Sequence, residues 1–372
     1  MKQIYSQFRL EGQVISCTRA GGGHINRTYL LVTGRPHLYT LQWLNGQVFK
    51  NVKGLMDNVI AVTDHIHAKV DDPRRVLTLV PTLTGEPYLI TPEGDCWRVY
   101  EYILDSVCLE APESAEDLRQ SGVAFGTFQN QLADFPAETL VETIPHFHDT
   151  PDRFRIFREA IAADRCARLE SVRDEVARFL SHEQEAGVLH KMLQKGELPL
   201  RVTHNDTKLT NVMLDETTHA PLCVIDLDTV MPGLAAHDYG DAIRFGASTA
   251  AEDETDLDKV ELSMAMYTAF TEGFLSACGD RLTRTEIETL PLGAKLMTLE
   301  CGVRFLTDYL NGDTYFAISR PEQNLDRART QLRLVEDMER KWDAMQAVIA
   351  NITRGDGRRQ RRAFTASPDP EW

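Results

Sequence analysis

Val202-Thr203-His204-Asn205-Asp206-Thr207-Lys208-Leu209-Thr210-Asn211-Val212-Met213-Leu214-Asp215 is followed closely by Val224-Ile225-Asp226-Leu227-Asp228. The first stretch sets the pattern His-x-Asp-x-x-x-x-Asn between apolar flanks. The second is an acidic pair leaving an apolar run. Short apolar runs bounded by polar turns read as strand, loop, strand. The turn Asp215-Glu216-Thr217-Thr218-His219-Ala220-Pro221 lies between them and is hairpin-like. It would bring Asn211 and Asp226 together on adjacent strands.

Those residue types suit phosphoryl transfer from ATP. That chemistry needs a carboxylate to orient and deprotonate the attacking hydroxyl, and oxygen ligands for Mg²⁺ near the phosphates. Asp206 is the candidate catalytic base. Asn211 offers a neutral amide oxygen and Asp226 a carboxylate to the metal. Lys208 is placed to neutralise the transferring phosphate. Taken singly, an Asp or Asn on a loop is a turn former, and His204 alone reads as a structural histidine. The joint pattern is what carries the reading.

The chain has 372 residues, 42% hydrophobic and 26% charged, with a formal net charge of −16. An acidic surface argues against nucleic acid as partner, which needs a basic face. Seven widely spaced cysteines without a C-x-x-C fit reduced thiols in a cytoplasmic protein. No signal peptide or membrane-length apolar run is evident.

Before the central stretch, residues 13–20, 28–33, 37–44, 75–80, 87–91 and 96–104 read as strands. Val52, Leu55, Met56, Val59, Val62, Ile66 and Val70 make one helical apolar face. Residues 1–104 therefore read as a small α+β domain. Residues 105–352 are expected to be mainly helical: 116–132, a start at Asp149-Thr150-Pro151, then 257–278, 285–310 and 322–352. The Arg-rich end, 353–372, reads as a disordered tail.

The two central patches resemble the aminoglycoside phosphotransferase and choline kinase superfamily. The longer run Ile225–Leu234, continuing through Asp238-Tyr239-Gly240-Asp241-Ala242-Ile243-Arg244-Phe245-Gly246, is most similar to the N-acetylhexosamine 1-kinase group. Gly22–Asn26, Val48–Asn51, Phe147–Phe154 and Arg304–Phe316 are also similar to that group. The resemblance implies a bilobal α+β fold of protein-kinase type, with an ATP-binding N-lobe and a substrate-binding C-lobe. It implies Asp206 as base and Asn211 with Asp226 as Mg²⁺ ligands, with Asp228 assisting the metal or ordering the loop.

On the nucleotide side, Gly22 and Gly23 would let backbone approach the phosphates. Backbone groups from Glu101 to Ile103 would meet the adenine edge. Kinase-like folds carry a Lys on the third strand, whereas this one reads Tyr39-Thr40-Leu41-Gln42-Trp43. Lys208, Lys50 or Lys53 is the expected substitute, or activity is impaired. On the acceptor side, Glu300, Arg304 and Asp308 recur every four residues. They read either as a surface ion-pair ladder or, for Arg304 and Asp308, as sugar contacts; the resemblance favours Arg304 and Tyr315. The expected function is an ATP-dependent sugar 1-kinase acting on an N-acetylhexosamine. The alternatives are a kinase of another small alcohol or a nucleotide-binding pseudokinase.

Overall fold

The computed structural model describes residues 1–21, 25–35 and 37–365, with side chains in the last helix described as far as Arg354. After a short helix α1 (Lys2–Tyr5), five strands form one antiparallel sheet in the order β1-β2-β3-β5-β4. They are β1 (Val14–Ala20), β2 (Arg27–Thr33), β3 (Leu38–Leu44), β4 (Leu89–Ile90) and β5 (Cys96–Glu101). Leu31, Tyr39, Leu41 and Val99 alternate onto one buried face. Helix α2 (Val52–His67) lies between β3 and β4 and starts where Asn51 accepts the Gly54 N–H. Its apolar face, Leu55, Met56, Val59 and Val62, is fully buried.

Residues 75–80 do not form the expected strand. A 3₁₀ turn at Pro73–Arg75 leads into a run that touches β5 through Val80 N–Val99 O (2.8 Å) and Glu101 N–Thr78 O (2.9 Å). Pro81 follows and has no N–H to continue a ladder.

The remainder is mainly helical. It contains α3 (Ala115–Gln131), α4 (Thr150–Ala163), α5 (Arg173–Ser181), α6 (Glu183–Ala186), α7 (Val188–Gln194), α8 (Ala235–Gly246), α9 (Met264–Cys278), α10 (Arg284–Leu310), α11 (Gln323–Arg340) and α12 (Trp342–Thr365). Asp149 caps α4 through the Asp152 N–H, with Pro151 in the first turn, as the sequence signalled. The expected helix 257–278 is broken, because Ser263 caps α9 and the Leu262 N–H is taken by Asp337 (2.7 Å). The helix expected over 322–352 divides at Lys341, and α12 continues past residue 352 to Thr365. Part of the expected tail, 366–372, lies outside the described residues.

Two glycines let α8 and α10 cross closely. A Cβ at Gly293 would stand 2.2 Å from Ala236 O, and one at Gly240 would stand 2.3 Å from Gly293 O. That crossing fixes α8, and α8 holds the central loop. The loop itself lies between small strands: β7 (Arg201–Thr203) pairs with β10 (Met231–Gly233), while β6 (Ser106–Val107), β8 (Val212–Asp215) and β9 (Pro221–Val224) form a three-stranded sheet. No helix among the described residues is long and apolar enough to cross a membrane.

Candidate active site

The β8–β9 hairpin does what its sequence suggested. Val212 pairs with Val224, and the Ile225 N–H donates to Asn211 O at 2.9 Å, so Asn211 and Asp226 start from neighbouring positions. Asn211 Nδ2 donates to Asp206 O (2.8 Å) and Oδ2 (3.1 Å). Its amide oxygen accepts nothing among the described residues. Asp226 has a left-handed backbone, φ +60°, and its carboxylate opens onto the cleft. Burial in the cleft, then the negative charges of Asp228 and Asp206, push its carboxyl upward. The Asp226 side chain remains exposed on its open side. Three carboxylates and an amide oxygen crowd one place with too little positive charge.

The loop is anchored from behind by residues that its own motif does not contain. Asp238, fully buried in the first turn of α8, accepts the His204 and Asn205 N–H groups, each at 2.8 Å, and Gln129 Nε2 at 2.9 Å. Asp241 accepts the Thr207 N–H at 3.2 Å and Arg244 Nε at 2.9 Å. Burial works against the Asp241 charge, but Arg244 and Lys208 outweigh it and hold the carboxyl low. His204 is a structural histidine: its ring meets Ile225 O at 2.8 Å and packs edge-on against Phe125 and Phe128.

Lys208 reaches Asp206 Oδ1 at 2.6 Å. Burial lowers its affinity for a proton, but Asp206 and Asp241 overcome that and keep it an ammonium. Of the other expected substitutes for the third-strand lysine, Lys53 is exposed and pairs with Asp57 at 2.7 Å, and Lys50 is exposed. The basic residue beside the third strand is Arg98 on β5, paired in register with Gln42. Its Nε and Nη2 donate to Gln42 Oε1 at 3.0 and 2.8 Å, and Nη1 lies 2.6 Å from Asp228 Oδ1. Asp228 Oδ1 has this charge contact but no well-aligned hydrogen-bond donor. The available signal was a lone charge in the apolar run Cys96-Trp97-Arg98-Val99-Tyr100. Arg27, opposite Trp43 on β2, stacks on that indole at 4.7 Å.

At the junction after β5, the Glu101 N–H is used by Thr78 O and the Glu101 side chain meets His37 at 2.7 Å. Ile103 O accepts Ser106 Oγ at 2.6 Å, while the Ile103 N–H has no partner among the described residues. Gly22 and Gly23 lie outside the described residues.

On the acceptor side, no ion-pair ladder forms along α10. Glu300 meets His148 Nδ1 at 2.9 Å and Thr150 Oγ1 at 2.7 Å. Burial pushes its carboxyl up, but His148 and Arg304 outweigh that and hold it at about 2. Asp308 is buried. Its two oxygens accept the Thr314, Tyr315 and Phe316 N–H groups, each at 2.9 Å, and Asn324 Nδ2 at 3.0 Å. The expected sugar contact by Asp308 is thereby corrected: a carboxylate consumed by backbone donors holds a loop. Arg304 has no carboxylate partner among the described residues. Its guanidinium lies 5.3, 5.9 and 5.4 Å from the ring centres of Phe147, Tyr315 and Phe316. Tyr315 is 66% exposed.

Residues 16–267 match the profile of a phosphotransferase enzyme family. Solved structures resemble the chain over nearly its whole length. A microcompartment-associated aminopropanol kinase superposes with a TM-score of 0.59 at 14% identity, covering 93% of this chain and 97% of that one. Amicoumacin kinase hAmiN, in complex with AMP-PNP, Ca²⁺ and Ami, gives 0.56 at 13%, covering 91% of each chain. Choline kinase from Cryptosporidium parvum gives 0.56 at 13%, covering 91% and 93%. At these identities the likeness shows the fold, a small β-rich N-lobe with one long helix and a large helical C-lobe.

Proposed function

The chain belongs to the phosphotransferase enzyme family, and on that premise we propose that it is an ATP-dependent kinase of a neutral, hydroxyl-rich small molecule, a hexose phosphorylated at its anomeric hydroxyl. ATP binds between an N-lobe, residues 1–104, and a C-lobe, residues 105–352, its adenine edge meeting the backbone at Glu101 and the free Ile103 N–H. Asp206 orients the acceptor hydroxyl and takes its proton. Lys208, 2.6 Å from Asp206 Oδ1, stands beside the transferring phosphoryl group. Asn211 and Asp226 would hold Mg²⁺; the crowding of carboxylates there and the open amide oxygen fit a hard, oxygen-seeking cation. When bound, that ion would neutralise charge on the phosphate oxygens.

One observation carries the choice of acceptor. Phe147, Tyr315 and Phe316 form an aromatic surround of the kind that binds an ammonium group, and this chain's own Arg304 fills it. A choline or aminopropanol, the acceptors in the relatives' names, would have to displace a guanidinium of like charge. A sugar hydroxyl or an acetamido carbonyl instead accepts from Arg304, with Tyr315 covering the ring. The N-acetylhexosamine reading rests on this and on the resemblance of residues 225–246 and 304–316. Against a pseudokinase reading stand Asp206, Asn211 and Asp226, all present and brought together, with Lys208 beside Asp206.

The test is ADP release across a panel of sugars, amino alcohols and aminoglycosides, followed by phosphorus NMR of the product. Phosphorus coupled to the anomeric carbon is expected. Turnover confined to amino alcohols would overturn the acceptor reading.

A further inference from the structure

Asp228 belongs to the metal-side segment of the helical lobe, yet the side chains that grip it come from the sheet lobe. Arg98 Nη1 on β5 lies 2.6 Å from Oδ1, and Asn26 Nδ2, just before β2, donates to Oδ2 at 2.5 Å. Asn26 is itself fixed by the Asn45 N–H at 3.1 Å, and Arg98 by both its contacts with Gln42. The Arg98 and Asp228 side chains are only 1% and 3% exposed. From the other side, Asp228 O accepts Thr143 Oγ1 at 3.1 Å, and Asn58 on α2 donates to Val230 O at 2.9 Å. Asp226 stands two residues before Asp228, on the left-handed residue that opens the 3₁₀ turn Leu227–Thr229. In so short a turn, displacement of Asp228 carries Asp226 with it.

We propose that Arg98 is a positioning residue that replaces the missing third-strand lysine: by holding Asp228 it aims Asp226 at the metal site and ties the ATP lobe to the metal segment before nucleotide arrives. The inference rests on the phosphotransferase reading of the same site. It differs from the usual lysine arrangement in where the cation acts. Arg98 touches a carboxylate two residues from the candidate metal ligand and is buried behind it, so it works through Asp228. Its planar fork spans two acceptors at once, Gln42 and Asp228. A lysine ammonium is a point donor on a flexible stem and cannot hold both in a fixed geometry. The burial adds stringency, because removing one member of such a pair leaves the other charged and unpaired.

The experiment titrates ATP into the full-length protein at a series of Mg²⁺ concentrations by calorimetry. It compares wild type with Arg98→Lys and with Arg98→Met/Asp228→Asn, which removes both buried charges together so that neither is left orphaned. Thermal melts establish that each variant folds. Wild type must bind ATP in a Mg²⁺-dependent way; if it does not, the kinase reading itself fails. Given that binding, both variants are expected to need at least tenfold more Mg²⁺ for the same ATP affinity. In steady state the KM for ATP rises while the KM for the acceptor is unchanged. Wild-type Mg²⁺ dependence in Arg98→Lys, or its full return in the charge-free double variant, would show that Arg98 only neutralises a buried carboxylate and would overturn the inference.

Discussion

Asp308 holds Tyr315 by its backbone: the carboxylate on α10 accepts the Tyr315 N–H at 2.9 Å and those of Thr314 and Phe316 at the same distance. Three charge-assisted hydrogen bonds to one buried carboxylate thus fold the loop that lays two aromatic rings against Arg304. Each such bond contributes about 1.5–3 kcal/mol, so the loop depends on this one side chain. Asp308→Ala is expected to lower stability by several kcal/mol, read from a urea midpoint (on the order of 3, from the same range). It should also raise the acceptor KM by about tenfold or more, on the scale of mispositioned substrate contacts, with the KM for ATP unchanged. An equal rise in both KM values would show general unfolding instead.

Asp206 is the group whose loss separates chemistry from binding. Asp206→Asn keeps the shape and the contacts to Asn211 and Lys208 within reach, but removes the acceptor of the proton. General-base catalysis contributes typically about 10²–10⁴ in rate, so turnover should fall by that factor while ATP binding by calorimetry survives. Near-normal turnover would remove Asp206 from the proposed mechanism.

The arrangement of the candidate site was legible because its residues are local in sequence. His204 to Asp228 spans one loop and one hairpin, and the strand periodicity on both sides fixed their register. Most of the helical lobe was legible for a similar reason: Asp149-Thr150-Pro151 announces a helix start wherever it occurs. What escaped was non-local. Nothing around Asp308 foretells that three N–H groups six to eight residues later will consume its oxygens. Arg98 and Asp228 are far apart along the chain, and only the β3–β5 register brings Arg98 to the position a lysine would serve. Asp238 stood out only through the resemblance of its run, while its partners, the His204 and Asn205 N–H groups, belong to a loop whose path the sequence leaves open. The breaks at Ser263 and Lys341 were missed because apolar periodicity continues across them, and a cap or a single non-helical residue decides the boundary.

Gly293 offers a test in which two effects have opposite signs. By intrinsic propensity, Gly→Ala inside a helix stabilises by about 1 kcal/mol. At this position the added Cβ would meet Ala236 O at 2.2 Å, a backbone atom that cannot swing aside. The clash should win, with a net loss of about 1–3 kcal/mol and a displaced α8. Since α8 carries Asp238 and Asp241, activity should fall along with the melting temperature. A more stable Gly293→Ala protein would contradict the close crossing of α8 and α10.

His237 supplies the pH dependence of folding. It is half-buried in α8, its ring 5.3 Å from that of His148, and its Nδ1 is buried with no hydrogen-bond partner among the described residues. Burial, then the neighbouring His148, push its pKa down from 6.5 to about 3, while Glu300 opposes the shift and His190 adds to it. The unfolded chain therefore binds a proton here below pH 6.5 that the folded chain refuses until about pH 3. Stability is complete above the unfolded value and declines as pH falls through that window, at up to about 1.4 kcal/mol per pH unit from this one group. Glu300, held at about 2, acts in the same direction at lower pH, as its charge is lost. The measurement is the urea midpoint at pH 7.5, 6.5, 5.5 and 4.5 for wild type and His237→Gln. The variant should lose about one proton's worth of slope between pH 6.5 and 4.5. Equal slopes would mean that His237 takes up its proton in the folded protein as readily as in the unfolded one.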